Sequence, residues 1–546
     1  MVQSPVQQTT VTDVLVKVVT ERVDRVFGLI GNGNVDLVSA LTASGFPFTS
    51  VRHEVAAVTA ADAYFRATGT MAVATATYGA GFTNMVTGLA EAQLARIPMV
   101  VVVGDAPSTG RRPFDIDQTT VTVGLNIPVI TLDQDNAGSA IVRAFDMAAD
   151  GQEPVVVMLP YDLADAPVED VHTSGAYQPI ARPKASDAQL EEIARALVAA
   201  ERPLILTGGG VVRTNTAHLA RQLGDAVGAV FMHSLTASNV TGSEHSLGIA
   251  GGFTPEHKLP AVQAADMVLI LGATSNNFQT RKGTLFGTDN IYRIDLTAKW
   301  NLTLPQANTV SAELTDALPR LLDAVNRLAP TPSAYRNQLA ELVAADTLPS
   351  EPFYGQDGRL NPRHVAAQLN TVLPANRQIV LDGGHFITWI GERLDIPDPA
   401  SMIAVGTAIQ SIGLGFGSAV GATVGTPGKF TTVISGDGGG QMALADLPTF
   451  IQETDHGAVI VFNDAAYGAE IHQYAAIGAD ATAMYLPQLD FAAIGQAIGA
   501  TGITVNTLDD LEIFARWIQR GEGVAVVNIN ISTGFAHPAM RPGATG

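Results

Sequence analysis

The sequence contains no cysteine, so disulfide bonds, thiolate nucleophiles and cysteine metal sites are excluded. Aromatic residues make up only 6% of the chain and charged residues only 15%. Positive charge is scarce, with 31 Lys and Arg against 52 Asp and Glu, and the net charge of −21 disfavours nucleic acid and anionic membranes as partners. The first residues lack a basic stretch followed by an apolar one, so we expect a cytoplasmic protein.

Apolar residues, by contrast, make up 47% of the sequence, and many lie in short strand-like runs that alternate with helical patterns. This alternation is typical of βα units around parallel sheets. Two linkers rich in Pro and small residues, at about residues 160–186 and 330–358, divide the 546 residues into three segments. We predict an α/β protein with three doubly wound parallel-sheet domains, at residues 1–165, 186–330 and 358–546.

The most specific pattern is Gly436-Asp437-Gly438 followed by Asn463-Asp464, each pair coming after a buried strand pattern. Glycines let backbone amides approach phosphate oxygens at a helix start, and Mg²⁺ prefers carboxylate ligands. Ligands of parallel sheets bind at the carboxyl ends of neighbouring strands. The pattern therefore predicts a split site for a metal-bridged diphosphate, and a glycine turn without a ligand is the alternative for either half alone.

These residues resemble the diphosphate motif of thiamine diphosphate enzymes of the acetolactate synthase, pyruvate decarboxylase and benzaldehyde lyase superfamily, and the resemblance covers nearly the whole chain. It implies thiamine diphosphate and Mg²⁺ as cofactors, the thiamine diphosphate-binding fold in the first and third domains, and a Rossmann-like central domain. The implied metal ligands are Asp437, Asp464 and the carbonyl of Ala466. The family usually has Asn where this chain has Asp464, and we expect the metal site to survive that change.

A second segment, RHEVAAVTAADAYFRATG, resembles the family's catalytic glutamate motif and places Glu54 at the glutamate. The resemblance implies that Glu54 hydrogen-bonds the aminopyrimidine ring and promotes the C2 ylid, which attacks a carbonyl compound and leads to an enamine. An ordinary helix-face glutamate beside Arg52 or His53 is the alternative interpretation.

The stretch between Asp398 and Lys429 carries no charge and is long enough to span a membrane. Its many glycines favour a buried helix instead. It resembles the family segment that holds the cofactor in a bent shape, with Ile412 at the hydrophobic wedge and the Gln410 carbonyl facing the 4′-amino group. The other cofactor contacts implied by the resemblance are Gly79, Gly384, His385, Gly436, Gly438, Gly439 and Tyr467.

The resemblance places four more side chains in the catalytic pocket, namely Asn32, Gln118, Glu470 and His472. Gln118 matches a pocket residue of acetolactate synthases, and Glu470 matches a carboxylate of pyruvate decarboxylases, although a solvated helix face explains Glu470 and His472 equally well. We expect an acetolactate-synthase-like carboligase acting on 2-oxo acids. A nonoxidative 2-oxo acid decarboxylase or a hydroxyketone or diketone lyase is the alternative, and a noncatalytic thiamine diphosphate-binding relative is the alternative of another class.

The central segment has a glycine turn at residues 208–210 that could hold a nucleotide. Acetolactate synthases bind FAD in this domain, but only Arg281 of their motif is retained, so we expect a nucleotide fold without FAD and keep FAD as the alternative. The resemblance also implies a homodimer or homotetramer with active sites between subunits, and no nucleic acid or membrane partner. Substrate identity and any regulatory subunit stay open.

Overall fold

The structure, a computed structural model, describes residues 8–168, 177–297, 304, 307–345 and 350–541. Within these residues the chain forms three six-stranded sheets flanked by helices, and the strand pairs are parallel throughout. The predicted α/β fold with three parallel-sheet units is therefore confirmed. The domain bounds stay a prediction, and residues 169–176 and 346–349 of the two predicted linkers lie outside the described residues.

The first unit has the strand order β2-β1-β3-β4-β6-β5. Its helix α1 begins with a capping box in which Thr10 accepts from the Asp13 amide, a local signal that fixes the helix start. The elements are α1 (Val11–Arg22), β1 (Val26–Gly28), α2 (Val35–Ala43), β2 (Phe48–Ser50), α3 (Glu54–Thr68), β3 (Val73–Ala76), α4 (Ala80–Ala95), β4 (Met99–Asp105), α5 (Gln118–Gly124), β5 (Val129–Thr131), α6 (Ala137–Gly151) and β6 (Pro154–Pro160).

The central unit has the strand order β12-β11-β10-β7-β8-β9. Counted within the unit from its other edge this is 3-2-1-4-5-6, the Rossmann order, so the Rossmann-like prediction is confirmed. The elements are α7 (Asp187–Ala199), β7 (Pro203–Thr207), α8 (Gly209–Arg213), α9 (Ala217–Val227), β8 (Val230–His233), β9 (Ser246–Ile249), α10 (Leu259–Gln263), β10 (Met267–Leu271), β11 (Ile291–Asp295), β12 (Asn308–Ser311), α11 (Leu314–Arg327), α12 (Tyr335–Gln338) and α13 (Ala340–Ala344).

The third unit has the strand order β14-β13-β15-β16-β18-β17, which repeats the order of the first unit strand for strand. Its elements are α14 (Pro362–Val372), β13 (Arg377–Leu381), α15 (Ile387–Arg393), β14 (Met402–Ala404), α16 (Gly415–Gly425), β15 (Phe430–Gly436), α17 (Asp437–Met442), α18 (Leu447–Glu453), β16 (His456–Asn463), α19 (Gly468–Gln473), α20 (Phe491–Ala497), β17 (Thr501–Val505), α21 (Leu511–Ile518) and β18 (Gly523–Asn530).

The first and third units share one hydrophobic core, which includes Phe82 and Val101 from the first unit and Phe416 and Val433 from the third. Helices α3 and α16 run side by side through it. A β-carbon on Gly417 would lie 2.8 Å from the Ala56 β-carbon, and one on Gly421 would overlap the Ala60 carbonyl. The glycines of α16 are therefore needed for close helix packing.

The uncharged stretch that contains α16 forms a buried helix of 11 residues. Among the described residues, no helix is long and apolar enough to cross a membrane. The membrane-helix alternative for this stretch is therefore wrong.

Candidate active site

Asp437 and Asp464 lie at the carboxyl ends of the neighbouring strands β15 and β16, which pair in parallel from Thr431 to Gly436. Asp437 is 2% exposed, and its Oδ2 atom has no hydrogen-bond partner among the described residues. The two carboxyls adjoin each other closely enough for the charge of Asp437 to act on Asp464. The structure thus places both residues at the same end of two neighbouring strands.

Ionising two adjacent buried carboxyls costs free energy, because burial and the repulsion between like charges both disfavour the charged forms. Burial raises the pKa of Asp437, and burial together with the charge of Asp437 raises the pKa of Asp464 further. A divalent cation between them would remove this penalty. The described residues contain no group of three or more His, Asp or Glu that could hold a metal ion, so a cation here would need further oxygens from the backbone or a diphosphate.

Small residues leave room around this pair of carboxyls. A β-carbon on Gly438 would lie 2.6 Å from the Tyr467 ring, and one on Gly439 would lie 2.5 Å from Asp382 Oδ2. Gly436 is the last residue of β15, and Gly384 has the left-handed φ of 141°. The buried carboxylate without a partner and the glycine-lined surroundings fit a metal-bridged diphosphate.

Two buried carboxylates hold the 406–414 loop, which contains Gln410 and Ile412. Asp382 Oδ1 accepts from the amides of Gly413 at 2.9 Å and Leu414 at 3.3 Å, and Glu91 Oε2 accepts from those of Ala408 at 2.9 Å and Ile409 at 3.0 Å. Gln410 adopts a left-handed φ of 59° within this loop. The loop is thus fixed from both sides, by a residue of the third unit and by one of the first.

Glu54 is the first residue of α3 and is 9% exposed. Its Oε2 accepts from Asn84 Nδ2 at 2.9 Å, and a β-carbon on Gly81 would lie 3.4 Å from Oε1. Close by, the Arg52 amide donates to Asp446 Oδ1 of the third unit at 2.8 Å. The segment that carries Glu54 is therefore bound directly to the unit that carries Asp437.

His385 and His472 form an edge-to-face pair with ring centres 4.6 Å apart. Gly468 lies between His385 and the carboxyl pair, because a β-carbon there would be 3.4 Å from His385 Nδ1 and 2.9 Å from Asp464 Oδ2. Burial lowers the pKa of both histidines, and for His385 the neighbouring His472 adds to the effect. His472 Nε2 is buried and has no partner among the described residues. Both rings are thus neutral at pH 7.

The other predicted pocket residues differ in their environment. Gln118 is 2% exposed and uses its amide to hold the backbone, accepting from Gly79 N–H at 2.6 Å and donating to Gly104 O at 2.9 Å. It therefore fixes the Gly79 turn, whose φ is 64°. Asn32 and Glu470 are exposed, the former in the turn after β1 and the latter on α19.

The central glycine turn is explained by packing. A β-carbon on Gly208 would lie 2.6 Å from Ala273 Cα, and one on Gly210 would lie 2.7 Å from Gly272 Cα. In the middle of β11, Arg293 is fully buried and its Nη2 donates to Asp295 at 2.9 Å. The turn thus needs its glycines to pass the end of β10, whether or not a nucleotide binds.

Comparisons with known proteins agree with this geometry. The N-terminal TPP binding domain of thiamine pyrophosphate enzymes matches residues 9–122, the central domain matches residues 190–300, and the C-terminal TPP binding domain matches residues 382–529. The chain belongs to the thiamine pyrophosphate enzyme family. The two TPP binding domains coincide with the units that carry Glu54 and Asp437.

Relatives within this family are similar along nearly their full length. The chain is 25% identical to the acetolactate synthase isozyme 2 large subunit of Escherichia coli, over 96% of either chain. It is 25% identical to an acetolactate synthase of Mycobacterium bovis, over 90% of this chain and 82% of the relative. It is also 25% identical to a sulfoacetaldehyde acetyltransferase of Castellaniella defragrans, over 93% and 90%. The chain is thus a thiamine diphosphate-dependent enzyme of the carboligase type.

Sequence reasoning missed Asp382 and Glu91. Each is fully buried and binds backbone amides of a loop that lies far along the chain. The signal available was an acidic residue inside an otherwise apolar segment, since charged residues are rarely buried without a partner.

Proposed function

We propose that this enzyme uses thiamine diphosphate and Mg²⁺ to join 2-oxo acids, in the manner of an acetolactate synthase. The observation that carries the proposal is Asp437, a buried carboxyl whose Oδ2 atom has no hydrogen-bond partner among the described residues, beside a second carboxyl at the end of a parallel sheet. Two relatives that match along nearly the whole chain are named acetolactate synthase, and this supports the same reaction class here.

In this proposal Asp437, Asp464 and the Ala466 carbonyl hold Mg²⁺, while Gly436, Gly438 and Gly439 leave room for the diphosphate. Thiamine diphosphate supplies a nucleophilic thiazolium carbon and an electron sink for the carbanion that C–C cleavage leaves. Glu54, held by Asn84, keeps a carboxylate at the start of α3 for proton transfer to the pyrimidine ring. Ile412 supports the ring from the loop that Asp382 and Glu91 fix.

The remaining members of the site act in this proposal on the substrate side or as supports. His385 and Tyr467 pack beside the diphosphate, Gln118 positions Gly79, and the Gln410 carbonyl faces the pyrimidine. Asn32 and Glu470 are exposed in the single chain, and we propose that a second subunit covers them, because the active sites would then lie between the subunits of a homodimer or homotetramer.

A nonoxidative decarboxylase or a hydroxyketone or diketone lyase is the second candidate. His472 favours it, because its buried Nε2 atom has no partner among the described residues and the ring lies 4.6 Å from that of His385. A proton relayed through this ring beside the cofactor would release an aldehyde instead of allowing a second carbonyl to add. For the central domain we propose a structural role without FAD, because only Arg281 of the FAD motif of acetolactate synthases is retained.

The test is turnover of pyruvate by the purified protein with thiamine diphosphate and Mg²⁺, with acetolactate, acetoin and acetaldehyde resolved among the products. Acetolactate as the main product is expected. Acetaldehyde alone would establish the decarboxylase instead, and cleavage of hydroxyketones without release of CO₂ from pyruvate would establish the lyase.

Glu54→Gln is the matched variant for this test, since it keeps the size of the side chain and removes the carboxylate. We expect turnover to fall by at least about a hundredfold, the usual contribution of a positioned acid or base, while calorimetry shows that thiamine diphosphate still binds. Turnover at the wild-type rate would contradict the assigned role of Glu54.

A further inference from the structure

A cavity of about 260 Å³ lies between the central and third units, away from the carboxyl pair. Gly252, residues 254–257 and Arg281 line it from the central unit. From the third unit it is lined by Arg363 of α14, by Glu392 and Arg393 at the end of α15, and by residues 537–539. The thiamine diphosphate site uses none of these residues.

The wall of this cavity carries an excess of positive charge in a protein whose net charge is −21. Three guanidinium groups face two carboxylates, and of these Glu256 is exposed while Glu392 is buried. Glu392 is shared between Arg393, at 2.8 Å, Arg363, at 3.8 Å, and the His537 ring, at 3.4 Å. A second carboxylate, Glu351, lies 3.7 Å from Arg363, so the guanidinium of this wall that has no carboxylate beside it among the described residues is that of Arg281.

Arg363 is the strongest indication of a ligand. It is 5% exposed, and its Nε atom has no hydrogen-bond partner among the described residues. Its nearest carboxylates, Glu351 at 3.7 Å and Glu392 at 3.8 Å, lie beyond hydrogen-bond distance. Buried donors are normally satisfied, and a guanidinium presents a planar set of donors that matches an oxyanion.

Arg281 stands on the opposite wall, and within the described part of the chain no carboxylate forms an ion pair with it. It has a left-handed φ of 47°, in a turn that places the residue at the cavity. Two arginines from two different units thus converge on one small space without sharing a carboxylate.

We propose that this cavity binds a small oxyanion, through a phosphate or carboxylate group held between Arg281 and Arg363. The size of the cavity suits a small anion and is below the usual range for drug-sized ligands. An anion here would join the central unit to the third unit through charge-assisted hydrogen bonds.

The cavity is also connected to the active site through aromatic contacts. The Arg363 guanidinium lies 4.8 Å from the centre of the Trp389 ring, and Trp389 lies 5.6 Å from the His385 ring. The amide of His537, on the cavity wall, donates to His385 Nε2 at 3.1 Å. A bound anion would therefore act on the histidine beside Asp464, and its affinity and that of the cofactor would be linked reciprocally.

The experiment titrates the holoenzyme by calorimetry with inorganic phosphate and, separately, with malonate, at constant ionic strength. Saturating thiamine diphosphate and Mg²⁺ keep the diphosphate site filled, so that it cannot bind the probe. We expect saturable binding of one anion per chain. Binding of phosphate alone would identify a phosphate group as the natural ligand's head, and binding of malonate alone would identify a carboxylate.

Three variants test which side chains contribute to anion binding. Arg281→Gln should weaken binding by about tenfold or more, because one charge-assisted contact is lost. Glu392→Gln should strengthen it, because the buried negative charge is removed. Arg516→Gln, which changes an exposed arginine of α21, should leave the affinity unchanged. Circular dichroism checks that each variant is folded.

The proposal would be overturned if neither probe binds saturably to the wild type. It would also be overturned if Arg281→Gln and Arg516→Gln bind the anion as tightly as the wild type does.

Discussion

Asp464 gives the candidate metal site a second carboxyl, next to that of Asp437. Because a divalent cation can displace the proton that the raised pKa of Asp464 keeps on this pair, we expect the apoenzyme to bind Mn²⁺ by itself. Asp464→Asn should weaken this binding by about tenfold or more, measured by electron paramagnetic resonance of free Mn²⁺. The exposed Asp480→Asn should leave it unchanged, and equal affinities in the two variants would argue against a role for Asp464 as a metal ligand.

The titration of Asp446 should make the free energy of unfolding depend on pH. Burial raises its pKa to about 6 from 3.8, so the folded protein keeps a proton that the unfolded chain loses as the pH rises from about 4 to about 6. This group therefore stabilises the fold below about pH 4, and up to about 3 kcal/mol is lost by pH 6.

Asp446→Asn still accepts the Arg52 amide but cannot ionise, so its melting temperature should fall less between about pH 4 and pH 7 than that of the wild type. Parallel melting curves for the two proteins would contradict the assignment.

At this scale the sequence predicted residues whose chemistry is local and missed those whose partners are distant. Asp437 follows a strand and opens a helix, so its place could be inferred from neighbouring residues. Asp382 and Glu91 matter because their carboxylates accept backbone amides from residues 408–414, which only the folded chain brings near them. Gln118 was expected in the pocket, and its side-chain amide forms hydrogen bonds with the backbone of Gly79 and Gly104.

At the scale of elements, the packing of α3 on α16 depends on glycine. Gly421→Ala should lower stability by about 1–3 kcal/mol, because the added methyl group would overlap the Ala60 carbonyl and force the helices apart. Gly124→Ala is the matched control, since a β-carbon there meets nothing within 4 Å. Its melting temperature should stay the same or rise slightly. Equal effects of the two substitutions would show that α3 and α16 tolerate a wider spacing.

The elements themselves followed well from the sequence, because buried strands and helices alternate with clear periodicity. What local pattern could not show was why glycines recur. In α16 and at residues 208–210 they serve close backbone approach, and each partner, Ala60 or Gly272, comes from a distant part of the chain. A glycine turn therefore does not by itself distinguish a ligand from tight packing.

At the scale of the whole molecule, two inactive variants can locate the active site. If it lies between subunits, as we propose, mixing Glu54→Gln with Asp437→Asn and allowing exchange yields hybrid dimers with one intact site. Random pairing would restore about one quarter of the wild-type turnover. If Glu54 and Asp437 of the same chain act together, the mixture stays inactive. Sedimentation before and after mixing verifies that dimers form and exchange.

The first and third units have the same strand order, and α3 and α16 occupy the same place in it, each following the second strand of its unit. These two helices pack in parallel, with Gly417 beside Ala56 and Gly421 beside Ala60. The chain therefore contains one strand order twice, and the two copies pack against each other through their equivalent helices. The two units differ at the first residue of these helices, because α3 begins with Glu54 and α16 begins with Gly415. The first unit carries Glu54, and the third unit carries the carboxyl pair of Asp437 and Asp464.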